Sequence, residues 1–383
     1  MAASVGDAPF VGLTSLALTD FRNYAALSIR LRSRFVVLTG DNGAGKTNLM
    51  EAVSLLTPGR GLRRASYGET ARSGGSGGFS VRAEAEGALG QTRLATFVKP
   101  GEDGEGAARA VRIDETVARS ADELLDHLRV LWLTPAMDGL FTGPANDRRR
   151  FLDRMVLSID PAHGRRAADY ERAMRQRNRL LGEPRADPVW LAGIEEQMAE
   201  LGVAIALARA ELVGLLRAMI GEAPDDAPFP KADLTLDGGY PFPFEGMAAS
   251  DLETEAARRL AEARGLDARA GRTLEGPHRA DLAVFHRAKA MPAALSSTGE
   301  QKALLIGLVL AHARLTRAVS GIAPILLLDE IAAHLDPGRR ASLFDIVEGL
   351  GVQSFMTGTD ASLFAALGPR AQHLTVSNGT VAA

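Results

Sequence analysis

Gly40-Asp41-Asn42-Gly43-Ala44-Gly45-Lys46-Thr47 satisfies every position of G-x-x-x-x-G-K-[ST]. Its glycines let backbone amides turn inward around phosphate oxygens, and a helix opening at Lys46 adds the positive end of its dipole. Lys46 then reaches the β- and γ-phosphates, and Thr47 presents its hydroxyl to Mg2+. A glycine turn with an exposed lysine is the alternative reading, and the flanking residues oppose it. Arg34 to Thr39 has the β-branched content of a strand and feeds straight into the loop. Lys46 to Leu56 carries apolar residues at 49, 50, 52, 53, 55 and 56, a helical pattern that Pro58-Gly59 ends. Strand, loop and helix in that order predict a bound nucleotide, ATP with Mg2+, cradled by Gly40 through Thr47.

Toward the N-terminus, Val11 to Leu18 and Ala25 to Leu31 also read as strands, joined by the turn-like Phe21-Arg22-Asn23-Tyr24. Beyond the loop, a glycine-rich turn at Gly74 to Gly78 precedes strands expected at Phe79 to Glu86, Arg93 to Lys99 and Ala110 to Glu115. The last two are separated by the loop Pro100 to Gly106, and together they suggest an antiparallel side sheet. A helix over Ala121 to Leu128 and a strand over Val130 to Leu133 follow. After Pro135 two long helical patterns cover about Ala162 to Leu181 and Val189 to Ile220, rods of roughly 30 and 45 Å. Gly221 to Phe244 reads as a loop or short-strand region, and Ser250 to Arg264 as a helix. A core pattern then returns: strand Ala283 to His286, helix Gly299 to Ala318, strand Pro324 to Asp329, helix Gly338 to Gly349 and strand Gln353 to Thr357. Leu374 to Val381 closes the chain with a hairpin turning at Asn378-Gly379.

Ile325-Leu326-Leu327-Leu328-Asp329-Glu330 is an apolar run ending in two acids, as expected of a buried strand whose tip delivers carboxylates into a site. Asp329 then holds Mg2+ with Thr47, directly or through water, while Glu330 orients and polarises an attacking water. Glu330 and Lys46 are therefore the catalytic candidates. Apolar strands often end in acids, so this reading depends on its company. Leu295-Ser296-Ser297-Thr298-Gly299-Glu300-Gln301 resembles the L-S-x-G-E/Q signature of ABC-type ATPases, in which Ser297 and the Gly299 amide meet a γ-phosphate at a helix start. In isolation the same string fits an ordinary Ser/Thr cap with Glu300 in the first turn. Ala333-His334-Leu335-Asp336 resembles a D-loop, with Asp336 its acid.

Glycine loop, signature, acid-tipped strand and D-loop thus occur in the order of an ABC-type ATPase. The resemblance implies an α/β fold, an ABC-type P-loop ATPase head with an inserted, mainly helical arm. Two heads then pack head to tail, Ser297 and Gly299 of one completing the site of the other. Three further segments are similar to the RecF family of bacterial recombination mediators: Asp20-Phe21-Arg22-Asn23-Tyr24, Lys46-Thr47-Asn48-Leu49-Met50-Glu51-Ala52 and Gly276-Pro277-His278-Arg279-Ala280-Asp281-Leu282. Arg148-Arg149-Arg150-Phe151-Leu152-Asp153 is similar as well, and the likeness spans about residues 14 to 360. It implies a head lobe over 1–145, an arm over 146–270 and a second head lobe over 271–383. It also implies an ATP-dependent DNA-binding protein of recombinational repair and replication-fork maintenance, which dimerises with ATP near single-strand gaps. Slow, DNA-stimulated hydrolysis acts as its switch, and RecR-like and RecO-like partners help load recombinase.

Some residues depart from these patterns. Ala280 stands where an acid is expected, no glutamine follows Val130 to Leu133, and Thr357-Gly358-Thr359-Asp360 lacks a switch histidine. The last two count against a transporter ATPase, as does an interval of about 250 residues between glycine loop and signature. That class and another SMC-like chromosome-maintenance ATPase are the alternatives.

With no cysteine among 383 residues, disulfides, thiolate nucleophiles and thiolate-bound metals are excluded. The start carries no basic-then-apolar leader, and Ala303 to Ala311 is too short to span a bilayer, so a cytoplasmic protein is expected. The net charge of −3 argues against a uniformly basic nucleic-acid binder, yet Arg148 to Arg185 holds eleven arginines against five acids. Arg172, Arg175 and Arg179 share one helical face, and the resemblance makes them, with Arg148 and Arg149, candidates for phosphate-backbone contact. A solvated helix face is the competing reading, since thirty-nine of the forty-four basic residues are arginine. His278 is read as structural, and Arg22 either as close to nucleotide or as a turn residue paired with Asp20.

Overall fold

The structure, a computed structural model, describes residues 12–87, 90–100, 108–244 and 246–382. Its elements begin with β1 (Gly12–Phe21), β2 (Tyr24–Arg30), β3 (Phe35–Thr39), α1 (Lys46–Ser54), α2 (Tyr67–Thr70), β4 (Phe79–Gly87), β5 (Gly90–Val98), β6 (Arg109–Ile113), β7 (Thr116–Val117) and β8 (Val130–Leu133). The middle of the chain forms α3 (Ala145–Leu157), α4 (His163–Leu181), α5 (Pro188–Gly221), β9 (Ala232–Asp237), α6 (Ala249–Glu262), α7 (Arg264–Ala270), β10 (Asp281–His286) and β11 (Met291–Pro292). The remainder is α8 (Thr298–Ser320), β12 (Ile325–Leu328), α9 (Pro337–Leu350), β13 (Ser354–Gly358), β14 (Ala371–Ser377) and β15 (Thr380–Ala382). Among the described residues, those up to Asp138, Pro224–Pro230 and those from Thr298 make one compact unit, and Gly139–Ala223 with Lys231–Ser297 a second.

The first unit holds two six-stranded sheets. One has the order β15-β14-β3-β13-β12-β8 and is parallel except for β15. Parallel strands covered on both faces must be apolar throughout, and every residue of β3, β12, β13 and β8 is buried. The other sheet, β2-β1-β4-β5-β6-β7, is antiparallel, and β4 alternates between buried and more exposed positions as a sheet with one solvated face does. Leu49, Met50, Ala52 and Val53 of α1 share a buried cluster with Leu16 and Leu18 of β1, Val81 of β4 and Leu38 of β3. Each such side chain adds about 1.5–3 kcal/mol by leaving water, alanine less. The helix that follows the glycine loop is thereby fixed to both sheets.

Helix α8 is, among the described residues, long and apolar enough to cross a membrane by length and composition. Its Leu304, Leu305, Ile306, Leu308 and Val309 are instead buried within the unit, and Lys302 pairs with Asp138 at 3.1 Å. This is the pattern of a helix enclosed by protein, apolar all round.

In the second unit α4 and α5 pack against each other, and β11-β10-β9 form an antiparallel sheet. α5 runs for 34 residues, about 50 Å. Arg177 of α4 is wholly buried, with Nε donating to Glu195 at 2.9 Å and Nη1 to Asp267 at 2.6 Å. Its Nη1 also donates to the Thr273 hydroxyl and its Nη2 to the Leu260 carbonyl. That one side chain joins α4 to α5, α6 and α7.

Several elements differ from expectation. α3 was not visible in the sequence because Asp147 to Arg150 place four charges in its first turns, so its buried stripe starts only at Phe151. The helix expected over Ala121 to Leu128 is a 3-10 helix, Ala121–Asp126. The helix expected over Ser250 to Arg264 extends as α7, and the 221–244 region contains β9. Pairing of β9 with β10, from Asp281↔Asp237 to His286↔Ala232, carries the second unit past residue 270 to Ser297. Val11 and most of the loop between β5 and β6 lie outside the described residues.

Candidate nucleotide site

The glycine loop leaves the buried end of β3 and turns into α1 through three left-handed glycines, Gly40 (φ 143°), Gly43 (82°) and Gly45 (119°). Gly45 caps α1 with no side-chain hydrogen bond, and no acid lies in the helix's own first turn to offset the positive end of its dipole. A Cβ on Gly45 would stand 2.6 Å from Asn23 Nδ2 and 2.7 Å from the Tyr24 hydroxyl. A Cβ on Gly40 would stand 2.2 Å from the Val376 carbonyl oxygen. The loop is therefore gripped on one side by the β1–β2 turn and on the other by β14. Asn23 Nδ2 donates to the Ala44 carbonyl at 3.0 Å, and the Tyr24 hydroxyl to that of Gly45 at 3.1 Å. Gly43 has open space where its Cβ would be, so the cradle is tight at its rim and free at its mouth.

Lys46 is 5% exposed, and its ammonium donates to the Gly40 carbonyl at 2.5 Å and the Asp41 carbonyl at 2.8 Å. Thr47 donates its hydroxyl to Asp329 Oδ1 at 3.2 Å. The structure thus brings together the two residues expected at the metal, from opposite ends of the sequence, through adjacency of the glycine loop and the tip of β12. Two oxygens of this kind suit a hard cation that keeps waters and phosphate oxygens as its other ligands. Among the described residues no cluster of three or more His, Asp or Glu offers a complete protein cage. The donor set fits a nucleotide-borne Mg2+.

Glu330 follows with φ 56°, and its amide donates to the Thr357 hydroxyl at 2.8 Å. Thr357 in turn donates to Asp329 Oδ1 at 2.7 Å. Thr359, in the segment that lacks a switch histidine, is exposed.

Arg22 does not pair with Asp20. Its guanidinium forks onto Glu51 of α1 at 2.8 and 2.6 Å, and Arg63 joins the same carboxylate at 2.9 Å. Asp20 instead takes Arg72 at 2.8 Å, which holds its carboxyl below the usual range, with the Ser76 amide adding to the effect. Sequence reading passed over Asn23, Tyr24, Glu51 and Thr357. All four lay within segments already singled out, and only their contacts show their use.

None of these hydrogen bonds reaches Ser297, Gly299 or Asp336. Ser297 and Gly299 are exposed where α8 begins. Asp336 caps α9 by accepting the Arg339 amide at 2.9 Å, which lowers its carboxyl's pKa. That cap accounts for an acid at this position independently of any nucleotide.

The arginine candidates divide. Arg148 forks onto Asp281 at 2.9 and 2.7 Å and donates to the Leu140, Phe141 and Gly143 carbonyls, which anchors α3 to β10. Arg149 donates to the Ala280 carbonyl. Both are engaged inside the second unit, because α3 packs its arginine-bearing start on β10. Arg172 and Arg175 are 70% and 67% exposed, each beside an acid on the preceding turn, Asp169 and Glu171. Arg179 is exposed in the last turn of α4. His278 is bonded at both ring nitrogens, Nε2 donating to the Thr273 carbonyl at 3.0 Å and Nδ1 meeting the Tyr170 hydroxyl at 2.9 Å, and burial lowers its pKa. Both partners belong to the second unit.

The family model for "RecF/RecN/SMC N terminal domain" matches residues 12–375. The DNA replication and repair protein RecF of Rhizobium etli (strain CIAT 652) is 64% identical over 371 residues, 97% of this chain and 98% of that protein. The same-named protein of Rhizobium meliloti (strain 1021) is 61% identical with the same coverage of both chains. Among solved structures, the recombination mediator RecF-ATP in the RecFOR pathway aligns with a TM-score of 0.85 at 22% identity, over 98% of this chain and 99% of that one. The Smc head domain with extended coiled coil from Pyrococcus furiosus aligns at 0.51 and 14% identity, over 97% and 95%. These two are likenesses of fold. Identity above 60% along nearly the full length carries further than the geometry of one loop can: the chain belongs to the RecF family.

Proposed function

We propose that this chain is an ATP-dependent DNA-binding protein of recombinational repair and replication-fork maintenance, a switch that binds ATP with Mg2+ and hydrolyses it slowly. The observation that carries the reading is the Thr47–Asp329 hydrogen bond, which joins the tip of β12, with Glu330 next in the chain, to the glycine loop of a RecF-family chain. Loop amides and Lys46 bind the phosphates, and Thr47 with Asp329 holds Mg2+, which neutralises charge developing on the transferred phosphoryl group. Glu330 orients water for attack. Exposed Ser297 and Gly299 suit a site completed by a second copy, so ATP closes a homodimer and hydrolysis reopens it. Arg172, Arg175 and Arg179 are the arm residues for DNA near single-strand gaps, while Arg148 and Arg149 act by holding the arm's own fold. RecR-like and RecO-like proteins are the expected partners in the cytoplasm. Family membership removes the transporter alternative.

Glu330→Gln keeps the shape of the side chain but removes the carboxylate. Single-turnover hydrolysis is expected to fall about 10²–10⁴-fold while ATP still binds, and gel filtration with ATP and Mg2+ gives a lasting dimer. A protein that stays monomeric with ATP, and whose hydrolysis ignores gapped or duplex DNA, contradicts the proposal.

A further inference from the structure

β13 lies between the strand that delivers the glycine loop and the strand that delivers Asp329, in the order β3-β13-β12. Near its C-terminal end Thr357 is completely buried. A buried β-branched residue in a parallel sheet ordinarily serves packing alone, yet this hydroxyl is hydrogen-bonded twice. It accepts the Glu330 amide at 2.8 Å and donates to Asp329 Oδ1 at 2.7 Å, the same oxygen that Thr47 reaches at 3.2 Å. A hydroxyl has one proton to give. The chain of bonds therefore has one direction, from the Glu330 amide through Thr357 to Asp329.

Glu330 holds φ 56°, a left-handed conformation that a non-glycine residue keeps only where its surroundings impose it. The described contact that fixes its amide is the Thr357 hydroxyl. We infer that Thr357 is a positioning residue for hydrolysis: its hydroxyl holds Glu330 in the left-handed turn and ties that turn to Asp329. The water-orienting and metal-side carboxylates are thereby set as one unit. The inference rests on the ATPase reading of Glu330.

Thr357→Val removes the hydroxyl and keeps the branch, and Thr357→Ser keeps the hydroxyl and drops the methyl. In nucleotide-free protein, hydrogen exchange at the Glu330 amide is expected to quicken about tenfold or more in the valine variant and to stay near wild type in the serine variant. In ATP hydrolysis, kcat of the valine variant falls about 10–100-fold, as loss of a supporting partner does, with Kd for ATP within about threefold. The serine variant recovers most of that rate. Equal losses in both variants assign the position to methyl packing and overturn the inference, as does unchanged exchange in Thr357→Val. Thr357→Ala, compared with Thr357→Ser, substitutes if the valine variant does not fold. A wild-type protein that never hydrolyses ATP defeats the ATPase reading, while the exchange comparison still decides whether Thr357 holds the turn.

Discussion

Arg177→Met lowers the stability of the second unit by about 3–5 kcal/mol, the cost of breaking a buried ion pair from one side. The guanidinium is wholly buried, and its partners Glu195 and Asp267 are 2% and 1% exposed. Glu195 keeps Arg264, whose Nη2 lies 2.5 Å away. Asp267 keeps only the Leu274 amide, at 3.1 Å, among the described hydrogen bonds. A carboxylate without its cation in the interior is what makes the truncation severe, more than the lost Coulomb energy. Thr273 and the Leu260 carbonyl lose their donor as well. Scanning calorimetry should show the transition of this unit about 6–20 °C lower. Arg177→Met combined with Asp267→Asn should recover part of the loss, since the orphaned charge is then absent. A midpoint within about 2 °C of wild type would show that the network contributes little.

Gly45→Ala weakens ATP binding about 100-fold or more. Two effects add at that position. The backbone sits at φ 119°, where an L side chain is strained by about 1–3 kcal/mol. The new methyl also meets Asn23 Nδ2 and the Tyr24 hydroxyl at 2.6 and 2.7 Å, so the two bonds that grip the loop must yield, at about 1 kcal/mol each. Every 1.4 kcal/mol taken from the bound state is a factor of ten in Kd. Gly43→Ala is the comparison, because its Cβ meets nothing within 4 Å and only the strain at φ 82° remains. Anisotropy of a fluorescent ATP analogue should rank wild type, Gly43→Ala and Gly45→Ala in order of falling affinity. Equal effects at both positions would remove the grip of the β1–β2 turn from the account.

How far residues along the chain are legible depends on how local their physics is. The glycine loop, its helix and the strand ending in Asp329 and Glu330 are local patterns: left-handed turns need glycine, a buried parallel strand needs an unbroken apolar run, and a helix needs its stripe. These were readable at once, with most strand positions and the long helices α4 and α5. α3 was not, because its opening charges hide the stripe. The eleven arginines between Arg148 and Arg185 looked alike as a run of positive charge, yet Arg177 is a core residue, Arg148 an anchor and Arg172 exposed. Their acids, Glu195, Asp267 and Asp281, are distant in sequence, so no window along the chain could pair them.

The amino-acid sequence by itself determined a glycine loop between strand and helix and named the residues that would hold phosphate, because those demands are set by neighbouring residues. Its resemblance to a family implied the ATPase head with an inserted helical arm. Only the tertiary structure decided that Thr47 and Asp329 share a hydrogen bond, that Asn23 and Tyr24 brace the loop, and that Thr357 links Asp329 to Glu330. Those contacts join residues 21 to 282 positions apart. Hydrogen bonds of that kind are set by which strands lie side by side in a sheet, an outcome of packing the whole unit.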